Sequence, residues 1–350
     1  PSYPQMRWDS TRFGRAGLSR QPRYRFRMLN NVTATVKEIR SAGLRDGIAE
    51  SASSLFSHAD YPLRRSLDYP GDEGVFGPRS VTWQVVGDAS AFIGGIRSLL
   101  IQAAHPEVAA GVLDHSIYEA DPLGRLSRTS AYVTATTYGA DVEVQEALAR
   151  VRLAHVPVEG MSHRGREYSA NNGAFAAWVH NTLADSFLSA YEAFGPNPLT
   201  DSDADRYVVE QARLGDLVHA SDLPTTRADL SRWISLHPDL GPSPGMTQAL
   251  SFLRNPPLPR TVIAAYKVLF YAAAATVPTR IAEMLGLTRY RASLSGGRAM
   301  TSALRWALGA SPSWWLALER TGHPLPIDVQ FRRPPPIPGI ESRFFESVDR

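Results

Sequence analysis

An all-α fold is what this sequence predicts, and three observations carry it. Apolar residues recur at spacings of three and four along most of the chain, as they do on one face of a helix. The period-two alternation of a half-buried strand is scarce. Proline and glycine fall between the periodic runs, where they end one helix and start the next.

The elements follow in order. Residues 1–30 form a basic-aromatic arm: Arg7, Arg12, Arg15, Arg20, Arg23, Arg25 and Arg27 stand against the single acid Asp9, with five aromatics interleaved. Prolines and glycines deny it a helical pattern, so a strap packed on the domain is expected, with a membrane or nucleic-acid arm as the alternative. Residues 31–320 read as one helical domain and 321–350 as a Pro/Arg-rich tail. Asn31 to His58 holds one or two helices, on Ile39, Leu44, Ile48 and Leu55. Tyr61 to Arg79 is turn-rich, and Ser80 to Val86 is a helix or turn. Asp88 is the expected N-cap of a helix from Ala91 to Ala104. Its Gly94-Gly95 pair marks close approach, of another helix or of a flat ligand.

His105-Pro106 ends that helix and opens the next, Glu107 to Asp114, with proline suited to the first helical turn. Asp121-Pro122 repeats the device: Asp121 caps a helix that runs to Tyr138. Gly139 breaks the chain, and Val142 to His155 follows, stopped by Pro157 and Gly160. His163, Arg164 and Arg166 lie in a polar loop. A strong helix covers Gly173 to Phe194. Further helices are expected at Thr200 to His219, Thr226 to Leu236, Gly245 to Leu253 and Gly297 to Gly309. Arg260 to Leu285 is long and apolar, with a kink expected at Pro278.

Composition excludes several classes. The 37 basic and 34 acidic side chains leave a formal charge of +3, with no nucleic-acid footprint. Lysine occurs only at Lys37 and Lys267, so nearly all the basic residues are arginine, as a GC-rich coding sequence would give. Absence of cysteine rules out disulfides, thiolate ligation and covalent haem attachment, leaving His and carboxylates for any metal. The longest apolar run, Val262 to Val277, is too short for a bilayer span. No signal-peptide h-region is visible in the first thirty residues, so cytoplasm is the default location, with secretion left open. Neither phosphate-cradling glycine loops nor G-x-S-x-G or H-E-x-x-H motifs occur.

Two helices carry the candidate site. On the Asp121–Tyr138 helix, Arg125, Thr129, Tyr132 and Thr136 form one polar stripe at spacings of four, three and four, with Arg128 one turn from Arg125. No acid lies between Pro122 and Tyr138 to neutralise the two arginines. On the next helix Val144, Leu148, Val151 and His155 form an apolar stripe, which puts His155 on an inward face at the helix end. It is either a core histidine bonded to a carbonyl or an axial metal ligand. His180 carries the same pair of readings.

The motifs together resemble a known family, the rubber oxygenases (latex clearing proteins) and the mycophenolic-acid-pathway oxygenases. They are Gly74-x-Phe76-Gly77-Pro78; Gln102-Ala-Ala-His105-Pro106 with Gly111-Val112; and Asp121-Pro122-x-x-Arg125-Leu-x-Arg128-Thr129. Then come Tyr138-Gly139, His155-x-x-Val158-x-Gly160, Gly165-x-x-Tyr168-x-Ala170 and Trp178-Val179-His180. The resemblance implies a globin-like helical core with additional surrounding helices, around a b-type haem. It implies an oxygenase that cleaves isoprenoid double bonds with O2 as co-substrate. By position, His155 would be the axial iron ligand, Arg125 and Thr129 the pair beside the haem, and His180 a second candidate for iron or a propionate. Arg128 stands where the rubber enzymes carry a lysine; arginine stays charged and ligates iron poorly, so it would act as a hydrogen-bond donor. The family's catalytic glutamate has no assigned position, with Glu107 and Glu119 nearby.

The expected substrate is hydrophobic, a small molecule or a polymer, and the electron donor is left open. Other readings stay beside this one: a haem enzyme oxidising another small molecule or natural product, a non-catalytic haem or lipid carrier, and a metal-free helical protein that binds membranes through the arginine-aromatic arm.

Overall fold

In a computed structural model, described for residues 43, 45–51, 60–116, 120–324 and 340–342, the chain is mostly helical. It divides into two units, Pro1–Leu44 and Arg45–Arg350, and all the elements below belong to the second. The arm at 1–30 and most of the tail at 321–350 lie outside the described residues; of the expected Asn31–His58 helices, 45–51 is helical.

A 3-10 turn at Ser66–Asp68 precedes α1 (Val81–Val86), which Ser80 caps by accepting the Trp83 N–H. Glu210 closes the same helix start from across the fold, taking the N–H groups of Val81 and Thr82 at 3.2 and 2.8 Å. Helix α2 (Ala91–Gln102) begins at Ser90 rather than at Asp88. Asp88 instead accepts the Ser90 N–H and pairs with Arg305, so it serves the turn before the helix. Pro106 opens α3 (Pro106–His115), and Asp121 caps α4 (Pro122–Tyr138) through the Gly124 N–H at 2.9 Å. After Gly139, α5 spans Asp141–His155.

The polar loop expected to hold His163, Arg164 and Arg166 is the turn of a two-stranded antiparallel hairpin, flanked by β1 (Glu159–Met161) and β2 (Glu167–Ser169), which were not expected. Strands this short carry too few residues for a period to show. Helix α6 (Gly173–Phe194) has the expected bounds, and α7 (Asp201–Leu217), α8 (Arg227–Leu236) and α9 (Pro244–Arg254) follow closely. The single long helix expected to Leu285 is two: α10 (Arg260–Thr276) ends and α11 (Thr279–Met284) starts afresh. Pro278 does not kink the helix; Val277 before it is extended, which proline demands of its neighbour. Last come α12 (Arg291–Leu308), starting earlier than Gly297, and α13 (Pro312–Arg320).

The core forms where α2 lies on α6, with α10 on α2 and α12 on α10. Ile93, Leu100, Trp178, Leu188, Tyr191 and Phe194 are shut from solvent there. Inside this apolar mass Arg97 donates to Asp185 at 2.6 Å, to Ser186 Oγ at 2.8 Å and to the Thr276 carbonyl at 3.2 Å. A second buried arginine, Arg320, reaches Ser66, the Asp72 carbonyl and Glu143. It thereby joins α13 to the start of α5.

Candidate functional site

The first family of motif residues meets at the joint of α4 and α5. Gly74 has φ +63°, and a Cβ built there would lie 2.1 Å from the Gly139 carbonyl oxygen. Only glycine lets the Gly74 loop close on this joint. Asp72 fixes the contact, accepting from Gly74 N at 2.7 Å and from Asp141 N at 3.0 Å. Thr136, Tyr138, Val144 and Leu148 are buried at this end.

From that rooted end α4 and α5 pack against each other, and both become more exposed with distance from it. Arg125 lies about 20 Å along α4 from the joint and His155 about 21 Å along α5. Arg125 bonds Ser116, and the neighbouring His115 bonds the carbonyl of Glu159, four residues after His155, so both far ends reach the end of α3, the open end of the pair. The polar stripe therefore changes character along its length. Thr136 is buried, Tyr132 and Arg125 are half-buried, and Thr129 is exposed. Burial pushes the Tyr132 phenol up to about 12. Arg125 donates to Ser116 Oγ, which ties α4 to the segment leaving α3. Arg128 finds an acid just outside its helix: it pairs with the capping Asp121 at 3.1 Å on the exposed surface.

His155 corrects the expectation of an inward face. Its stripe is buried at Val144 and Leu148, half-buried at Val151 and exposed at His155. A stripe is continuous on the helix surface, but its burial depends on how far the neighbouring elements follow it. The His155 carbonyl accepts from Val158 N at 3.0 Å and Asn171 Nδ2 at 3.4 Å. Its ring has no hydrogen-bond partner among the described residues. Large apolar side chains are exposed around this end: Leu126 at 38 %, Leu153 at 74 %, Val156 at 62 % and Met161 at 57 %.

The β-hairpin is held by a second group of motif residues. A Cβ on Gly160 would stand 2.6 Å from the Tyr168 hydroxyl, and one on Gly111 only 3.5 Å from its ring. Tyr168 donates to Asp114 Oδ2 at 2.5 Å, and His115 Nε2 donates to the Glu159 carbonyl at 3.0 Å. These bonds anchor the hairpin on α3.

His180 lies apart from the open end. It is 7 % exposed, and its Nε2 donates to the Gln211 carbonyl at 2.8 Å. A carbonyl only accepts, so the proton sits on Nε2 and Nδ1 keeps its lone pair. Desolvation holds this imidazole down at about 4. This is the satisfied core histidine of the two readings. His163 is exposed in its loop, and Glu119 lies outside the described residues.

A cluster that sequence reasoning did not assemble surrounds Glu107. The Glu107 carboxylate, 2 % exposed, accepts from Ser162 Oγ at 2.9 Å and from Arg164 Nε at 3.1 Å and Nη2. Beside it His105, His237 and Asp239 each offer a ligand atom within 4.8 Å of the others. Only the paired His-x-Asp and His-Pro spellings hinted at it, and 132 positions separate His105 from His237.

The open end fits a haem by its chemistry. It offers an imidazole whose ring has no hydrogen-bond partner among the described residues, apolar side chains to cover a porphyrin, and arginines for propionates. Residues 83–308 match the family described as ER-bound oxygenase mpaB/B'/Rubber oxygenase, catalytic domain. No curated protein and no solved structure matches the chain.

Proposed function

We infer the reaction from one premise: with well over half its length matched, this chain belongs to the mpaB/rubber oxygenase family and is an oxygenase. The reading we propose is a b-type haem enzyme that uses O2 to oxidise a hydrophobic substrate, with an isoprenoid or other alkene cleaved at its double bond. The observation that carries it is the His155 ring, with no hydrogen-bond partner among the described residues, at a helix end with exposed apolar side chains and at the same end of the α4–α5 pair as Arg125 and Thr129.

When bound, the haem supplies the oxygen chemistry; the chain supplies ligation, orientation and a surface for the substrate. In this reading His155 holds the iron through its imidazole. The bonds from Val158 and Asn171 to its carbonyl fix the helix end that presents the ring. Arg125, held by Ser116, sets a cation beside the site for a propionate or for orienting the porphyrin. Thr129 adds a hydroxyl on the same stripe. Arg128, paired with Asp121, stays at the rim as a hydrogen-bond donor. Leu126, Leu153, Val156 and Met161 give the apolar contact that a hydrocarbon needs. His180 acts through packing: bonded to Gln211, it positions α6 against α7.

The test is oxygen uptake by the haem-loaded protein with an isoprenoid oligomer, wild type beside His155→Ala. Uptake with carbonyl products in the wild type, lost in the variant, supports the reading. Uptake unchanged in the variant would remove His155 from the site.

A further inference from the structure

We propose that His105, His237 and Asp239 bind one divalent first-row transition-metal ion, at a site separate from the α4–α5 open end and independent of any haem there. Two imidazoles and one carboxylate are the ligand set that zinc(II) and ferrous iron favour, and three protein ligands leave a position open for water or substrate.

Three elements deliver the donors. His105 is the N-cap of α3, His237 the C-cap of α8, and Asp239 follows two residues later. A backbone bond from Gly241 N to the Ala104 carbonyl, 3.1 Å, clamps the 237–241 segment against the start of α3. The three ligand atoms already lie within 4.8 Å of one another. Ligands held at 2.0–2.1 Å around a tetrahedral ion stand about 3.3 Å apart, so side-chain rotation has to close at most about 1.5 Å.

The state of His105 is the independent sign of a missing partner. The residue is 2 % exposed, yet its Nδ1 has no hydrogen-bond partner among the described residues. Glu107 Oε2 is 3.4 Å from that nitrogen without forming a hydrogen bond, because Arg164 and Ser162 hold the carboxylate. Leaving a buried polar atom unsatisfied is destabilising, and a bound ion would give this ring the partner it lacks.

The surroundings are sheltered. His105 packs among Phe175, Trp178 and His237, with ring centroids 5.4 to 5.7 Å away, and this wall of rings keeps its imidazole out of bulk water, as the shell of a metal ligand does. Charge balance comes from Glu107 and Asp239. Arg164 and Arg166 oppose a cation, but each is spent on a carboxylate: Arg164 on Glu107, Arg166 on Asp239 Oδ1 at 2.6 Å. The second Asp239 oxygen remains for an ion. Orienting partners of this kind are what a ligating carboxylate ordinarily has.

The experiment is a zinc(II) titration of the full-length, chelator-treated protein by calorimetry, with elemental analysis of the untreated protein. Wild type is expected to bind one zinc per chain, with Asp239→Asn and His237→Gln weakening it by at least about tenfold. Asp239→Asn keeps the side-chain shape at a half-buried position, and circular dichroism of each metal-free variant checks that it folds. His155→Ala is expected to bind zinc as wild type does, whatever becomes of its haem, so this site and the haem reading fail separately. Absence of saturable binding in wild type, or binding of equal strength in both cluster variants, would overturn the proposal.

Discussion

Gly94 of α2 stands directly on Phe187 of α6: a Cβ built on Gly94 would lie 2.6 Å from the Phe187 ring and 3.1 Å from its backbone Cα. Its neighbour Gly95 has nothing within 4 Å. Of the glycine pair, Gly94 therefore serves helix packing.

Substituting the two glycines separates contact from propensity. Gly94→Ala forces the central helices apart and is expected to cost about 1–3 kcal/mol. Gly95→Ala adds helix propensity without a clash and is expected to stabilise by up to about 1 kcal/mol. Urea unfolding of the two variants reads the difference, and equal effects would contradict the packing described here.

Arg97 is the polar centre of the same interface. Replacing it by methionine leaves Asp185 buried without its cation. The expected loss is about 3–5 kcal/mol, read as a lower denaturation midpoint. Removing Arg97 and Asp185 together is expected to cost less than removing Arg97 alone, because no uncompensated charge remains.

Acid is expected to weaken the fold through two histidines. His105 and His180 both sit at about 4 when folded, against about 6.5 in an unfolded chain. Protonation therefore favours unfolding: the stability is fully present above about pH 6.5 and is lost as pH falls toward 4. Each is expected to contribute about 2 kcal/mol of loss between about pH 7 and about pH 5. In His180→Gln, which keeps a donor for the Gln211 carbonyl, the fall over that interval should be smaller by that amount.

Arg125 tests orientation apart from ligation. If it sets the porphyrin or the substrate, Arg125→Ala retains haem while turnover falls by about a hundredfold. A variant with unchanged haem content and unchanged turnover would assign the residue elsewhere.

Most of the helices were readable because proline and glycine mark them. Pro106, Pro122 and Gly139 fall where helices start or end, and Asn172 and Gly195 bracket α6. Spacing also put Arg125, Thr129 and Tyr132 on one face. Depth was not readable. His155 and Leu148 share a stripe, but only the packing of neighbouring helices makes one exposed and the other buried. The pairing of Gly74 with Gly139, and of His105 with His237, needs the chain to fold back over long separations that no local pattern encodes.

The most direct measurement is the absorption spectrum of freshly purified, haem-supplemented protein, wild type beside His155→Ala. The account predicts a Soret band in the wild type that is lost or shifted in the variant, with zinc binding at the other cluster unchanged. A Soret band identical in both proteins, or no band in the wild type, would contradict the placing of haem on His155.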